Sequence, residues 1–147
     1  MTRITGYGPK GERLVAGIVP LSTDKGKVLL IQSSSQKSWV LPKGGWELDE
    51  ATASAAAQRE AWEEGGIICK DLKDLGMIAD IRPTSALTKH APKASYQFFE
   101  AIVTEERSNW PEAHKRSRAW YTFSQASQLL ALRPELLEAL KRSSIRK

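Results

Sequence analysis

The chain has 147 residues, of which 41% are hydrophobic and 27% charged, and it carries a net charge of +5. These values suit one folded domain with a sizeable core and exclude a disordered or fibrous chain. No apolar run nears the ~20 residues of a membrane span, and a single cysteine, Cys69, excludes an internal disulfide framework.

Residues 1–12 are rich in glycine and basic groups and read as a loop. Arg13 to Leu21 and Lys27 to Gln32 read as strands, split by the turn residues Ser22 to Gly26, with Pro20 at a strand end. Ser33 to Ser38 is a polar loop, and Trp39-Val40-Leu41 is a short strand stopped by Pro42. A helix is predicted from about residue 50 to 64. Asp49 is its expected N-cap, and Glu50 faces the positive end of the dipole from the first turn. Ala51 to Ala57 is nearly all small residues, so one helix face can lie close to a sheet, and Gly65-Gly66 supplies a stop. Gly44 and Gly45, just before the helix, let backbone approach a ligand or metal closely.

Leu72 to Ile81 is the next expected strand, followed by a loop over 82–94 that contains two prolines. Ser95 to Val103 reads as a strand, Glu105 to Lys115 as a polar connection, and Arg118 to Phe123 as a last strand. Ser124 is a candidate cap for a helix from Gln125 to Leu132, and Pro134 can open a terminal helix, Pro134 to Arg142. The sum is an α/β domain, a mixed sheet with helices packed on its faces.

The chemistry concentrates at the end of the first helix. Glu60 neighbours both Glu63 and Glu64 on one face, because residues three and four apart are adjacent on a helix. Like charges at that spacing repel, and a divalent cation relieves the repulsion. Mg²⁺ favours a few carboxylates together with water and phosphate oxygens. Residues 46–64 hold six carboxylates against Arg59 alone, so the rest of the chain carries a net +10. An acidic centre in a basic chain points to an anionic substrate that shares its cations.

Gly44, Glu50 and the run Arg59-Glu60-Ala61-Trp62-Glu63-Glu64-Gly65-Gly66-Ile67 resemble the Nudix box, with eight residues rather than seven between Glu50 and Arg59. The order of elements over roughly 13–140 resembles the Nudix fold, an α/β/α sandwich, which makes residues 1–147 a single Nudix hydrolase domain. Trp39 to Gly45, the eight-residue spacing and Ala57 to Glu64 look like the fungal diphosphoinositol polyphosphate phosphohydrolases. Those enzymes cut inositol pyrophosphates, diadenosine polyphosphates and inorganic polyphosphate.

The resemblance implies a Mg²⁺ site, with Mn²⁺ as an alternative. Glu60 and Glu64 are the implied ligands, and Glu63 takes the proton from the attacking water or shares the metal. A backbone carbonyl of Lys43 or Gly44 completes the shell, and Arg59 braces the glutamates from behind. The implied phosphate-binding groups are Arg3, Lys10, Arg13, Lys43, Arg116, Arg118 and Arg133, with Lys89, His90 or Lys93 from the central loop. Ser33, Ser34 and Ser35 donate hydrogen bonds, and Gly44 and Gly45 line the approach. His114 and Cys69 carry no catalytic pattern, and the five tryptophans read mostly as packing.

Two other functions remain compatible with the residues. One is hydrolysis of dinucleoside polyphosphates or capped RNA, for which Trp46 and Tyr96 are the candidate base-stacking groups. The other is a silent inositol phosphate or RNA-binding domain, against which three mutually repelling acids argue. The expected partner is a small, highly anionic substrate, with no membrane and nucleic acid not favoured. The expected state is a monomer. No apolar leader is visible, which suits a cytoplasmic location, with the nucleus open.

Overall fold

The two most apolar runs of the sequence become the centre of the sheet. In the computed structural model, β1 (Arg13–Leu21) and β2 (Val28–Gln32) pair antiparallel, and their side chains are buried almost without interruption. Unbroken burial along a strand requires cover on both faces of the sheet. The structure describes residues 12–34, 38–46, 50–80 and 93–147. The expected roles of Arg3, Lys10, Ser35, Asp49, Lys89 and His90 lie outside these residues.

The remaining described elements are β3 (Trp39–Val40), β4 (Lys43–Gly45), α1 (Ala53–Gly65), β5 (Ile67–Ala79), β6 (Ala94–Glu106), β7 (Arg118–Tyr121), α2 (Phe123–Leu129) and α3 (Pro134–Arg142). The sheet runs β3-β2-β1-β6-β5, with β4 also on β1 and β7 also on β2. β1 and β6 are parallel, in register from Arg13 opposite Ala94 to Leu21 opposite Ile102. The other pairings are antiparallel, so the sheet is mixed as predicted. α1 lies on β1, β4, β5 and β6, while α2 and α3 touch each other and reach β2, β7 and β5. Phe98, Ile18, Leu29, Leu30, Leu136 and Leu140 are among the fully buried side chains between these layers. Among the described residues no helix is long and apolar enough to cross a membrane.

Several boundaries differ from those read in the sequence, and four of the differences have a local reason. α1 starts at Ala53, because the Thr52 hydroxyl caps it by accepting from the Ala55 amide at 3.1 Å. Glu50 therefore precedes the helix instead of sitting in its first turn. α2 is capped by Thr122 rather than Ser124: the Thr122 hydroxyl and Gln125 side chain form a reciprocal capping box. β5 begins at Ile67, five residues before the expected Leu72, and absorbs its polar stretch through register shifts, with Asp71 at φ 57° and Gly76 at φ 88°. Lys43-Gly44-Gly45, to which the sequence reading assigned no element, forms a short strand on β1.

Candidate active site

The buried stripe of α1 carries both the packing and the chemistry. Ala53, Ala56, Ala57, Glu60, Ala61 and Glu64 are buried at helical three-to-four spacing. Small alanines let the helix settle against β1 and β4, and the same face then ends in two carboxylates. Glu60 is 6% and Glu64 8% exposed. Burying two acids on a packing face costs stability unless they are compensated. That placement therefore marks a functional centre rather than a structural helix end.

Arg59 supplies much of the compensation. Its Nε and Nη2 donate to the two Glu50 oxygens, each at 3.1 Å, and Nη2 also donates to the Gly45 carbonyl at 3.0 Å. Its Nη1 lies 2.9 Å from Glu60 Oε1 and 2.8 Å from Glu63 Oε2. One guanidinium thus ties the loop before α1, the helix and β4 together, using its planar fork of donors. Burial disfavours the Arg59 charge, but its bond to Glu50 and the pull of Glu60, Glu50 and Glu63 outweigh that and raise its pKa. The extra residue between Glu50 and Arg59 is taken up before the helix, so Glu50 still reaches its partner.

The three glutamates do not form one cluster, which corrects the simplest reading of their spacing. Glu60 and Glu64 perturb one another as buried neighbours, while Glu63 meets Glu60 only across the shared Arg59 Nη1. Among the described residues no three His, Cys, Asp or Glu side chains converge to hold an ion by themselves. Nor does charge balance depend on an ion alone: Arg59 serves Glu60 and Glu63, and Arg116 Nη2 stands 3.7 Å from Glu64 Oε2. A pair of hard oxygen donors still fits Mg²⁺, which takes one or two carboxylates and fills its shell with water and phosphate oxygens.

Burial raises the Glu60 carboxyl above the ordinary range, with Glu63 adding to the rise and Glu64 and Arg59 opposing it. Burial and the neighbouring Glu60 push Glu64 up to about 9. The metal-free fold therefore holds a proton here that the unfolded chain releases near its ordinary value of 4.5. Folded-state binding of the extra proton makes stability fall as pH rises through that window. In EDTA, the thermal midpoint is expected to drop between about pH 5 and about pH 9 more steeply in the native chain than in Glu64→Gln. Mg²⁺ is expected to raise the midpoint most at the alkaline end. A slope equal in both proteins contradicts the assignment.

β4 closes on this pair. The Lys43 amide donates to Glu64 Oε1 at 3.2 Å, and a Cβ on Gly44 would overlap the Glu60 carboxylate. Gly44→Ala is expected to fold but to push that carboxylate aside, lowering kcat by about 10²-fold, the scale of a misplaced reacting group. Kinetics alongside thermal melting checks this: a lost fold, or unchanged specific activity, would contradict it.

Beside the pair lies a cavity of about 250 Å³ lined by Ser33, Ser34, Ser38, Val40, Leu41, Lys43, Glu64, Arg116 and Arg133. Five expected phosphate-binding residues, Ser33, Ser34, Lys43, Arg116 and Arg133, thus meet at one expected metal ligand. Burial lowers the Lys43 pKa, and the charges of Arg133 and Arg13 lower it further while Glu64 resists. A group of cations that repel one another is stabilised by a polyanion. Lys93 is exposed at the foot of β6, where its carbonyl accepts from the Arg13 amide at 2.8 Å.

Arg118 corrects another expectation. Its Nη1 donates to the Gly65 and Gly66 carbonyls at 2.8 and 3.3 Å, and its guanidinium lies 4.3 Å from the Trp110 ring centre. It caps α1 instead of lining the cavity. The chain around it completes the cap: Trp110 Nε1 donates to the Glu64 carbonyl at 3.0 Å, the Glu112 amide to Glu63 at 3.1 Å, and the Arg107 amide to Gly66 at 2.9 Å. Gly66 turns there at φ 65°, the left-handed conformation that ends helices. The sequence signals for these roles are faint. Glu112 and Arg116 are four apart, and Trp110-Pro111 interrupts a polar stretch.

Cys69 is half-buried and its thiol is pushed up to about 12 by burial, away from the range of a reactive thiolate. Trp46 Nε1 donates to the Glu50 carbonyl at 3.0 Å, and Tyr96 is buried against Phe98 with ring centres 6.3 Å apart. The Tyr96 ring is thus enclosed in the core, and Trp46 is tied by its N–H edge while staying half-buried.

Comparison with known proteins bears on the family and the fold. The NUDIX domain family model matches residues 11–142. Nudix hydrolase 16, mitochondrial, of Arabidopsis thaliana is 36% identical over 130 residues, covering 79% of this chain and 71% of that protein. Nudix hydrolase 17, mitochondrial, of the same plant is 35% identical over 128 residues, covering 81% and 67%. A NUDIX hydrolase from Nitrosomonas europaea superposes with a TM-score of 0.73 at 15% identity, covering 89% of this chain and 87% of its own, and so shares the fold. Members of this family hydrolyse nucleoside diphosphate-linked substrates and generally use divalent metal ions such as Mg²⁺. With the box on α1, the sandwich around it and a match across nearly its whole length, the chain belongs to the Nudix family.

Proposed function

We propose that this Nudix hydrolase cuts phosphoanhydride bonds in diphosphoinositol polyphosphates, with diadenosine polyphosphates and inorganic polyphosphate as further substrates. The observation that carries the reading is the cavity in which Lys43, Arg116 and Arg133 gather with Ser33 and Ser34 beside Glu64. A small ring bearing many phosphates needs several cations around one opening, and it needs no base-stacking surface. Of the two rings that could serve a nucleotide base, Tyr96 is buried against Phe98, while Trp46 is half-buried with its N–H bonded to the Glu50 carbonyl. A silent binding domain would gain nothing from two buried acids that perturb one another.

Glu60 and Glu64 would hold Mg²⁺, or Mn²⁺, and a backbone carbonyl of Lys43 or Gly44 would join them. When bound, the ion neutralises phosphate charge and acidifies the attacking water. Glu63, whose side chain at 35% exposure is the most open of the three, accepts the water proton. Arg59 keeps Glu60 and Glu63 in place through that transfer. Lys43, Arg116, Arg133 and Arg13 bind and orient the polyphosphate, and the serine hydroxyls donate to its oxygens. The enzyme acts as a monomer. The lone Cys69 suits a reducing compartment, cytoplasmic or nuclear, and imaging a tagged chain distinguishes that from the organelle named for its Arabidopsis relatives.

Incubation with a diphosphoinositol pentakisphosphate and Mg²⁺ tests the reading. Loss of the pyrophosphate is expected, faster than turnover of diadenosine hexaphosphate and much slower in Glu63→Gln and Glu64→Gln. Preference for the dinucleotide, or equal rates in the variants, would overturn it.

A further inference from the structure

We propose that Glu112 is a positioning residue that sets the phosphate-binding face of the cavity through Arg116, which rests on the reading above only for the identity of the anion. The Glu112 carboxylate accepts from Arg116 Nε at 2.7 Å, and the Gln32 carbonyl of β2 accepts from Nη1 at 3.0 Å. Two edges of the guanidinium are therefore fixed by groups outside the cavity. The third, Nη2, is presented at the cavity wall, 3.7 Å from Glu64 Oε2. Arginine is a long chain with a planar head, so holding its plane decides which oxygens it can meet. Without Glu112, the carboxylate left within ion-pair reach of Arg116 among the described residues is Glu64 itself. The cation would then collapse onto an acid that the metal requires and turn away from the phosphate.

The same residue joins this cation to the acidic helix. The Glu112 amide donates to the Glu63 carbonyl at 3.1 Å, so the main chain at residue 112 is anchored to the last turn of α1. Substituting the side chain leaves that backbone bond in place. Glu112 thus links Arg116 to the glutamates directly, its backbone facing the helix and its carboxylate facing the arginine.

The test is calorimetric binding of methylenediphosphonate, whose P–C–P bridge resists hydrolysis, to the full chain with Mg²⁺. Glu112→Ala is expected to weaken binding about tenfold, the scale of one charge-assisted hydrogen bond, with Glu112→Gln restoring most of it through its amide oxygen. Arg116→Ala weakens binding at least as much, and the double variant binds like Arg116→Ala alone, because Glu112 works only through that side chain. Thermal midpoints stay close to that of the native chain. Native-like binding by Glu112→Ala, additive losses in the double variant, no rescue by Glu112→Gln, or no binding of the analogue by the native chain each overturn the inference. Native binding of the analogue without turnover of an inositol pyrophosphate removes the substrate reading instead and leaves Glu112 in its role.

Discussion

Glu64→Gln is expected to lower kcat by about 10³-fold or more, the several kcal/mol that a metal ion's charge stabilisation supplies. The same substitution is expected to leave the metal-free protein as stable as the native one, or more so. Glu64 is almost fully buried, and burial together with the neighbouring Glu60 already favours the protonated, neutral form. Glutamine keeps the size and the hydrogen-bonding capacity while removing the charge, so the fold loses a liability and the site loses a ligand. Opposite signs in stability and activity distinguish a functional acid from a structural one. Turnover within about tenfold of native, or a collapsed melting transition, contradicts the assignment.

Arg59→Ala is expected to cost about 3–5 kcal/mol, because removing one partner from a buried charge network leaves the others uncompensated. Here the abandoned partners are Glu50 and Glu60, both buried, with Glu63 and the Gly45 carbonyl beside them. That loss is a large share of a typical domain's stability and corresponds to a fall in thermal midpoint of roughly 10–20 °C. Arg59→Lys is expected to recover little, since one ammonium cannot span three carboxylates and a carbonyl. Chemical denaturation of the three proteins measures this directly. A lysine variant with native stability shows that the fork geometry is dispensable.

The box was readable from sequence because helix periodicity alone places Glu60 beside Glu63 and Glu64, and the alanine face beside the sheet. Periodicity does not say which way each long side chain turns. Glu63 leaves the pair for Arg59, and only the positions of β4 and the loop at Glu50 decide that. Lys43, Arg116, Arg133, Ser33 and Ser34 came from resemblance, and no local pattern joins residues so far apart in the chain. Arg118 differs because four carbonyls at the end of α1 need donors, and it stands within reach of two of them. Glu112, Trp110 and the Gln32 carbonyl escaped notice for the same reason: their contacts cross 46 to 84 residues of sequence, except the Glu112–Arg116 pair, which lies in a stretch with no helical pattern to flag it.

Titrating Mn²⁺ into the protein and following the free-ion electron spin resonance signal tests the metal-binding pair most directly. Loss of the free signal is expected with the native chain, and a much weaker loss with Glu60→Gln and Glu64→Gln, while Glu50→Gln still takes up the ion. Equal uptake by the native chain and by both of the first two variants would contradict a cation site built on that buried pair.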